Sequence, residues 1–135
     1  MRCSIGDMNR RPPTIAVVSD HRRVGRALVA YLSSDGLAAA QVIGPYTYRA
    51  GQGQFRHAEA VVCDLDGCDL AAALHLVERV AAAHIPVLAI SASAAVRTKA
   101  LARGAAACAD KSAAALEELV RQLADLTCGN RNETG

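Results

Sequence analysis

The sequence predicts an α/β fold built on a doubly wound, five-stranded parallel sheet, and three observations carry that prediction. Short runs of β-branched and small apolar residues recur along the chain without polar alternation, as in strands covered on both faces. Most of these runs are followed by a stretch whose apolar residues return every three or four positions, as in an amphipathic helix. The 135 residues hold one domain of ordinary size, and 52% hydrophobic content with only 3% aromatic leaves Ala, Val, Leu and Ile to fill the core. Such a core suits helices packed closely on a sheet.

Residues 1–13 are polar and end in Pro-Pro, which predicts a disordered leader; the domain is expected over 14–126 and a flexible tail over 127–135. The first strand is Ile15-Ala16-Val17-Val18, ending at Ser19-Asp20. Val24, Leu28 and Leu32, with Ala27 and Tyr31, then mark a helix closing at Ser33-Ser34-Asp35-Gly36, where Gly36 suits a C-cap. Leu37 to Ile43 is a weaker strand. The segment 44–58 has no clear period, and its Gly51-Gln52-Gly53 neither follows a clear strand nor opens a clear helix, so it reads as a loop or degraded helix and not as a dinucleotide fingerprint.

Ala60-Val61-Val62-Cys63 is the next strand, ending at Asp64, and Leu70, Leu74, Val77 and Val80 mark the helix after it. Ile85 to Ile90 is the fourth strand, with Pro86 tolerable only near its start, and Ser91 ends it. A short helix over Ala94–Arg103 stops at Gly104, Ala105–Ala109 is a small-residue strand before Asp110-Lys111, and Leu116, Leu119, Val120 and Leu123 mark the last helix. Strand-helix alternation with right-handed crossovers leaves few topologies, of which the flavodoxin-like order 2-1-3-4-5 is the natural one.

A net charge of +2, with Arg10-Arg11 and Arg22-Arg23-Arg26 as its densest basic clusters, calls for no nucleic-acid partner. Five cysteines without a secretory leader, Cys63 and Cys68 at no common zinc spacing, predict free thiols and neither disulfides nor a thiolate metal site. Apolar stretches are broken well before the ~20 residues a membrane helix needs, so the chain is expected to be cytoplasmic.

In such a fold, function sits beyond the carboxyl ends of the strands, near the switch in strand order. Asp20, Asp64, Ser91 and Lys111 each end a different strand and should converge there. Two carboxylates, a hydroxyl and an ammonium form a coherent set for a phosphoryl group with a hard cation such as Mg²⁺, which prefers oxygen ligands and keeps several waters. Each residue also has a blander reading: Asp20 and Ser91 as helix caps, Lys111 as a solvated lysine. His21 reads as a partly exposed neighbour of the site, and His57, His75 and His84 have no visible partners.

These pieces together resemble the receiver domain of bacterial two-component response regulators. The resemblance covers Thr14 to Leu126 through Ile-Ala-Val-Val-Ser-Asp-His (15–21), Ala-Val-Val-Cys-Asp-Leu-Asp (60–66), Pro-Val-Leu-Ala-Ile-Ser-Ala-Ser (86–93) and Gly-Ala-Ala-Ala-Cys-Ala-Asp-Lys (104–111). The Asp-His start and Arg-rich first helix look most like the NarL-like branch. The resemblance implies that Asp64 is the nucleophile taking a phosphoryl group from a histidine kinase. It also implies that Asp20, Asp64 and the backbone carbonyl of Asp66 bind Mg²⁺, that Ser91 hydrogen-bonds the phosphoryl group and that Lys111 pairs with the acceptor. Activity would be at most self-phosphorylation and dephosphorylation.

Three positions depart from the family pattern. Ser19 replaces one of two adjacent acids, which predicts weaker Mg²⁺ binding; the loop after Asp64 is about three residues short and brings in Asp66; Cys108 replaces an aromatic three positions before Lys111. No recognisable helix-turn-helix follows Leu126, so output by contact with a downstream protein is expected, with a homodimer through the Ala94 helix, the last strand and the last helix as one such contact. A pseudo-receiver, an interaction module without phosphorylation control, is the competing expectation. A flavin or nucleotide binder would need a Ser/Thr/Gly-rich loop where Ser-Asp-His-Arg-Arg (19–23) stands.

Overall fold

The structure is a computed structural model that describes residues 14–34, 39–44, 55, 57–112, 117–118 and 121–125. Its elements run β1 (Thr14–Val18), α1 (Arg22–Ser33), β2 (Ala39–Gly44), β3 (Ala60–Asp64), α2 (Leu70–Ala82), β4 (Val87–Ile90), α3 (Ala94–Ala102) and β5 (Ala107–Ala109). Residues 117–118 and 121–125 are also helical. The five strands form one sheet of order β2-β1-β3-β4-β5 in which every pair is parallel. This is the predicted topology.

The strands lack polar alternation because both faces of the sheet are covered. Side chains alternate across a strand, and the structure divides them accordingly. Ile15, Val17, Ala60, Val62, Leu88, Ile90 and Ala109 pack with Leu28 and Leu32 of α1 and with Leu123. Ala16, Val18, Val61, Cys63, Val87 and Ala89 pack on the other face with Ala73, Leu74, Val77 and Val80 of α2 and Ala100 of α3. Small side chains bring the layers close, and at Gly104 a side chain would touch the methyl of Ala81 while the backbone stands at φ +110°, a conformation that favours glycine. Gly104 ends α3 as its sequence position suggests.

Several boundaries move. β4 begins at Val87, leaving Ile85 and Pro86 outside, since proline has no N–H to give a ladder. β5 is only Ala107–Ala109, and β2 is Ala39–Gly44 with a register shift opposite Val17 and Val18. The cap reading of Ser91 gives way to Ser93. His21 precedes α1 without a side-chain cap bond, Ser93 Oγ caps α3 by accepting from Val96 N–H, and Asp69 does the same for α2 from Ala72 N–H. The leader, Gly36, most of 44–58, Leu116, Leu119, Val120 and the tail lie outside the described residues. Phe55, the only Phe, is described and buried against the α2 face of the core.

Candidate functional site at the carboxyl edge of the sheet

Parallel strands deliver their last residues to one edge. The order turns back between β1 and β3, so Ser19 and Asp20 follow β1 beside Asp64, the last residue of β3, with Ser91 one residue beyond β4 and Lys111 two beyond β5. The strands that carry them are buried, which fixes the backbone at this edge. Asp64 and Ser91 are themselves fully buried, Ser19 nearly so, and Asp20 half-buried.

Asp64 is held from three sides. Lys111 Nζ lies 2.6 Å from its Oδ1, Ser19 Oγ donates to its Oδ2 at 2.8 Å, and Asp66 N–H donates to Oδ1 at 3.2 Å. A buried carboxylate needs such partners, because an unpaired charge out of water is strongly unfavourable. Ser19 therefore serves as a hydrogen-bond donor to Asp64.

Asp66 carries contacts beyond the role the resemblance gives it. The resemblance implies a role for its backbone carbonyl, yet its side chain turns inward. Ser91 Oγ donates to Oδ1 at 2.5 Å, Ala92 N–H donates to Oδ2 at 2.9 Å, and Lys111 Nζ stands 3.3 Å from Oδ2. Burial alone would push this carboxyl up; the bonds from Ser91, Ala92 and Lys111, with the ammonium charge, outweigh it and hold the carboxyl below its ordinary value. Burial likewise opposes the charge on Lys111, and the bonds and charges of Asp64 and Asp66 raise its pKa above the usual lysine value.

The turn is made by Gly67 at φ +68°, where a side chain would run into the His21 imidazole. His21 is thus exposed beside the site, as expected. Arg97, which the sequence reading did not single out, donates from α3 to the Ser91 carbonyl at 2.6 Å and lies 4.0 Å from Asp110. Cys68 donates to the Leu65 carbonyl, and burial, reinforced by the charges of Asp20, Asp64 and Asp66, pushes its thiol up to about 11. Cys63, Cys68 and Cys108 form no disulfide. Cys108 is half-buried against the α2 face of the core.

The oxygen donors suit a hard cation in kind. Among the described residues, however, no three His, Cys, Asp or Glu side chains converge to hold a metal, so an ion here would rely on a backbone carbonyl and waters for the rest of its shell. Among the described residues, no helix is long and apolar enough to cross a membrane.

Solved structures similar to this chain include response-regulator receivers. The receiver domain of the Francisella response regulator 1452 superposes with a TM-score of 0.71 at 16% identity, over 87% of this chain and 98% of its own. Chemotaxis response regulator CheY4 of Vibrio cholerae gives 0.68 at 12% identity, over 83% and 98%. NtrX from Brucella abortus gives 0.73 at 21% identity, over 91% of this chain but only 29% of its own length. No protein-family model and no curated protein sequence matches the chain. The chain has the fold of the response-regulator receiver domain.

Proposed function

We propose that this domain is a phosphorylatable signalling receiver in which Asp64 takes a phosphoryl group from a partner histidine kinase and passes the change on by protein-protein contact. The observation that supports this most is the Lys111 ammonium 2.6 Å from Asp64 Oδ1 at the switch in strand order, with Ser91 on the next strand. A carboxylate is ionised at neutral pH and needs no base to attack phosphorus. The new Asp64 O–P bond forms as the N–P bond of the donor phosphohistidine breaks; the electron pair stays on the imidazole nitrogen, which takes up a proton. Catalysis by the protein is then placement and charge neutralisation, with Lys111 beside the developing phosphoryl oxygens.

Asp20 and Asp64, with the carbonyl of Asp66, would hold Mg²⁺, which supplies further neutralisation of phosphoryl charge when bound. The Asp20-His21 start and the Arg-rich α1 favour the NarL-like branch within the same reading, and a homodimer through α3, β5 and the last helix is one form its output would take.

The pseudo-receiver is favoured by a different observation: Asp64 is fully buried and both its oxygens are engaged, one by Lys111 and one by Ser19. The two readings separate on incubation with Mg²⁺ and acetyl phosphate followed by intact mass and peptide mapping. The receiver reading expects one phosphoryl group per chain, mapped to Asp64 and missing from Asp64→Asn. An unmodified wild-type chain points to the pseudo-receiver.

A further inference from the structure

Two carboxylates meet at this edge, and their surroundings differ. Asp64 is the buried one. Asp66 is 29% exposed on a short turn, yet both its oxygens are taken by donors from two other strand ends: the Ser91 hydroxyl and Ala92 N–H after β4, and the Lys111 ammonium after β5. These donors come from three different residues and from both backbone and side chains. Two of them, Ser91 and Lys111, are groups that the acceptor reading reserves for a phosphoryl group on Asp64. A hydroxyl, an amide and an ammonium aimed at one spot form a seat for an oxyanion. Because Lys111 bridges to Asp64 as well, the seat already tolerates a second negative charge next to the acceptor.

We infer that Asp66 is a built-in occupant of an oxyanion seat formed by Ser91 Oγ, Ala92 N–H and Lys111 Nζ, so that a phosphoryl group must displace its carboxylate before these donors can bind it. The inference rests on the acceptor reading only for the identity of the incoming group; the seat itself is defined by its donors. Asp66 can leave because its side chain reaches solvent and because it lies beyond the last residue of β3, on the turn set by Gly67. Its carboxylate acts as an intramolecular competitor. It keeps Ser91 and Lys111 in place before any phosphoryl group arrives, and it weakens the seat for every external oxyanion. The ligand class is a tetrahedral phosphoryl oxyanion, whether free phosphate or the group carried on Asp64.

The full chain and its Asp66→Ala and Asp66→Asn variants are titrated with inorganic phosphate while backbone amides are followed by NMR. Both variants should show saturable shifts centred on Ser91, Ala92 and Lys111, with Asp66→Ala binding at least tenfold more tightly than wild type. Equal responses in wild type and Asp66→Ala, or no response at Ala92 in either folded variant, would overturn the inference. A parallel arm with Mg²⁺ and acetyl phosphate separates this from the acceptor reading. Phosphate saturation at Ala92 in Asp66→Ala without any covalent label on Asp64 removes the acceptor and keeps the seat. Labelling of Asp64 with no gain of phosphate binding in either variant keeps the acceptor and removes the seat.

Discussion

The β4–β5 side of the site and its β1 side are built on different principles. On the β4–β5 side, Ser91, Ala92 and Lys111 converge on Asp66, while Arg97 ties the Ser91 carbonyl to α3. On the β1 side, Ser19 Oγ links the strand end to Asp64, and His21 lies exposed over Gly67. One side is a charged network in which most members have more than one partner; the other joins Asp64 through the hydroxyl of Ser19. Networks of the first kind are strongly coupled, because removing one member leaves others unpaired. The β4–β5 side should therefore dominate both stability and anion recognition.

Lys111→Met breaks that side hardest, since it leaves the buried Asp64 carboxylate without its cation. After discounting for the partial exposure of Lys111, the loss should be about 2 kcal/mol in denaturant unfolding at neutral pH. A change within about 0.5 kcal/mol, the usual range for surface sites, would mean that Asp64 is compensated by other groups.

Asp66→Asn is milder, because an amide still accepts from one donor; about 1 kcal/mol is expected at neutral pH. Its signature is the pH dependence. The folded Asp66 carboxyl lies below its ordinary value, so its contribution is present above that value and is lost as pH falls through the folded pKa. The stability gap between wild type and Asp66→Asn should close on acidification; a gap constant down to acid unfolding would contradict the assigned bonds. Lys111 works in the opposite direction. Its raised pKa gives a contribution that holds below the ordinary lysine value and fades only as pH rises through the folded one.

The β1 side should answer weakly. Ser19→Ala removes a buried donor to Asp64 and should cost about 1 kcal/mol, whereas His21→Ala, on an exposed side chain, should stay within about 0.5 kcal/mol. Thermal unfolding of the two variants side by side checks this order, and a larger loss for His21→Ala would reverse it.

The meeting of Asp64, Ser91 and Lys111 was legible in the sequence, because parallel strands covered on both faces must end at one edge whatever their side chains do. Periodicity also located the helices α1, α2 and α3 to within a residue or two. The inward turn of Asp66 was not legible, since it depends on a backbone amide at Ala92, a hydroxyl at Ser91 and a glycine turn at Gly67 that meet only in three dimensions. Nor was the donor role of Ser19, which from the sequence read as a lost acid. Asp66 lying two residues beyond Asp64 was the one available hint. Phe55 was missed for another reason: it sits in a stretch without hydrophobic period, so nothing local marked it as core.

The most direct test of the account is the time course of phosphoryl incorporation from acetyl phosphate and Mg²⁺ into wild type, Asp64→Asn and Asp66→Asn. Wild type should be labelled at Asp64, Asp64→Asn not at all, and Asp66→Asn faster than wild type, by about tenfold if one charge-assisted contact of about 1.4 kcal/mol no longer competes in the transition state. A wild-type chain that stays unlabelled, or a label that persists in Asp64→Asn, would contradict it.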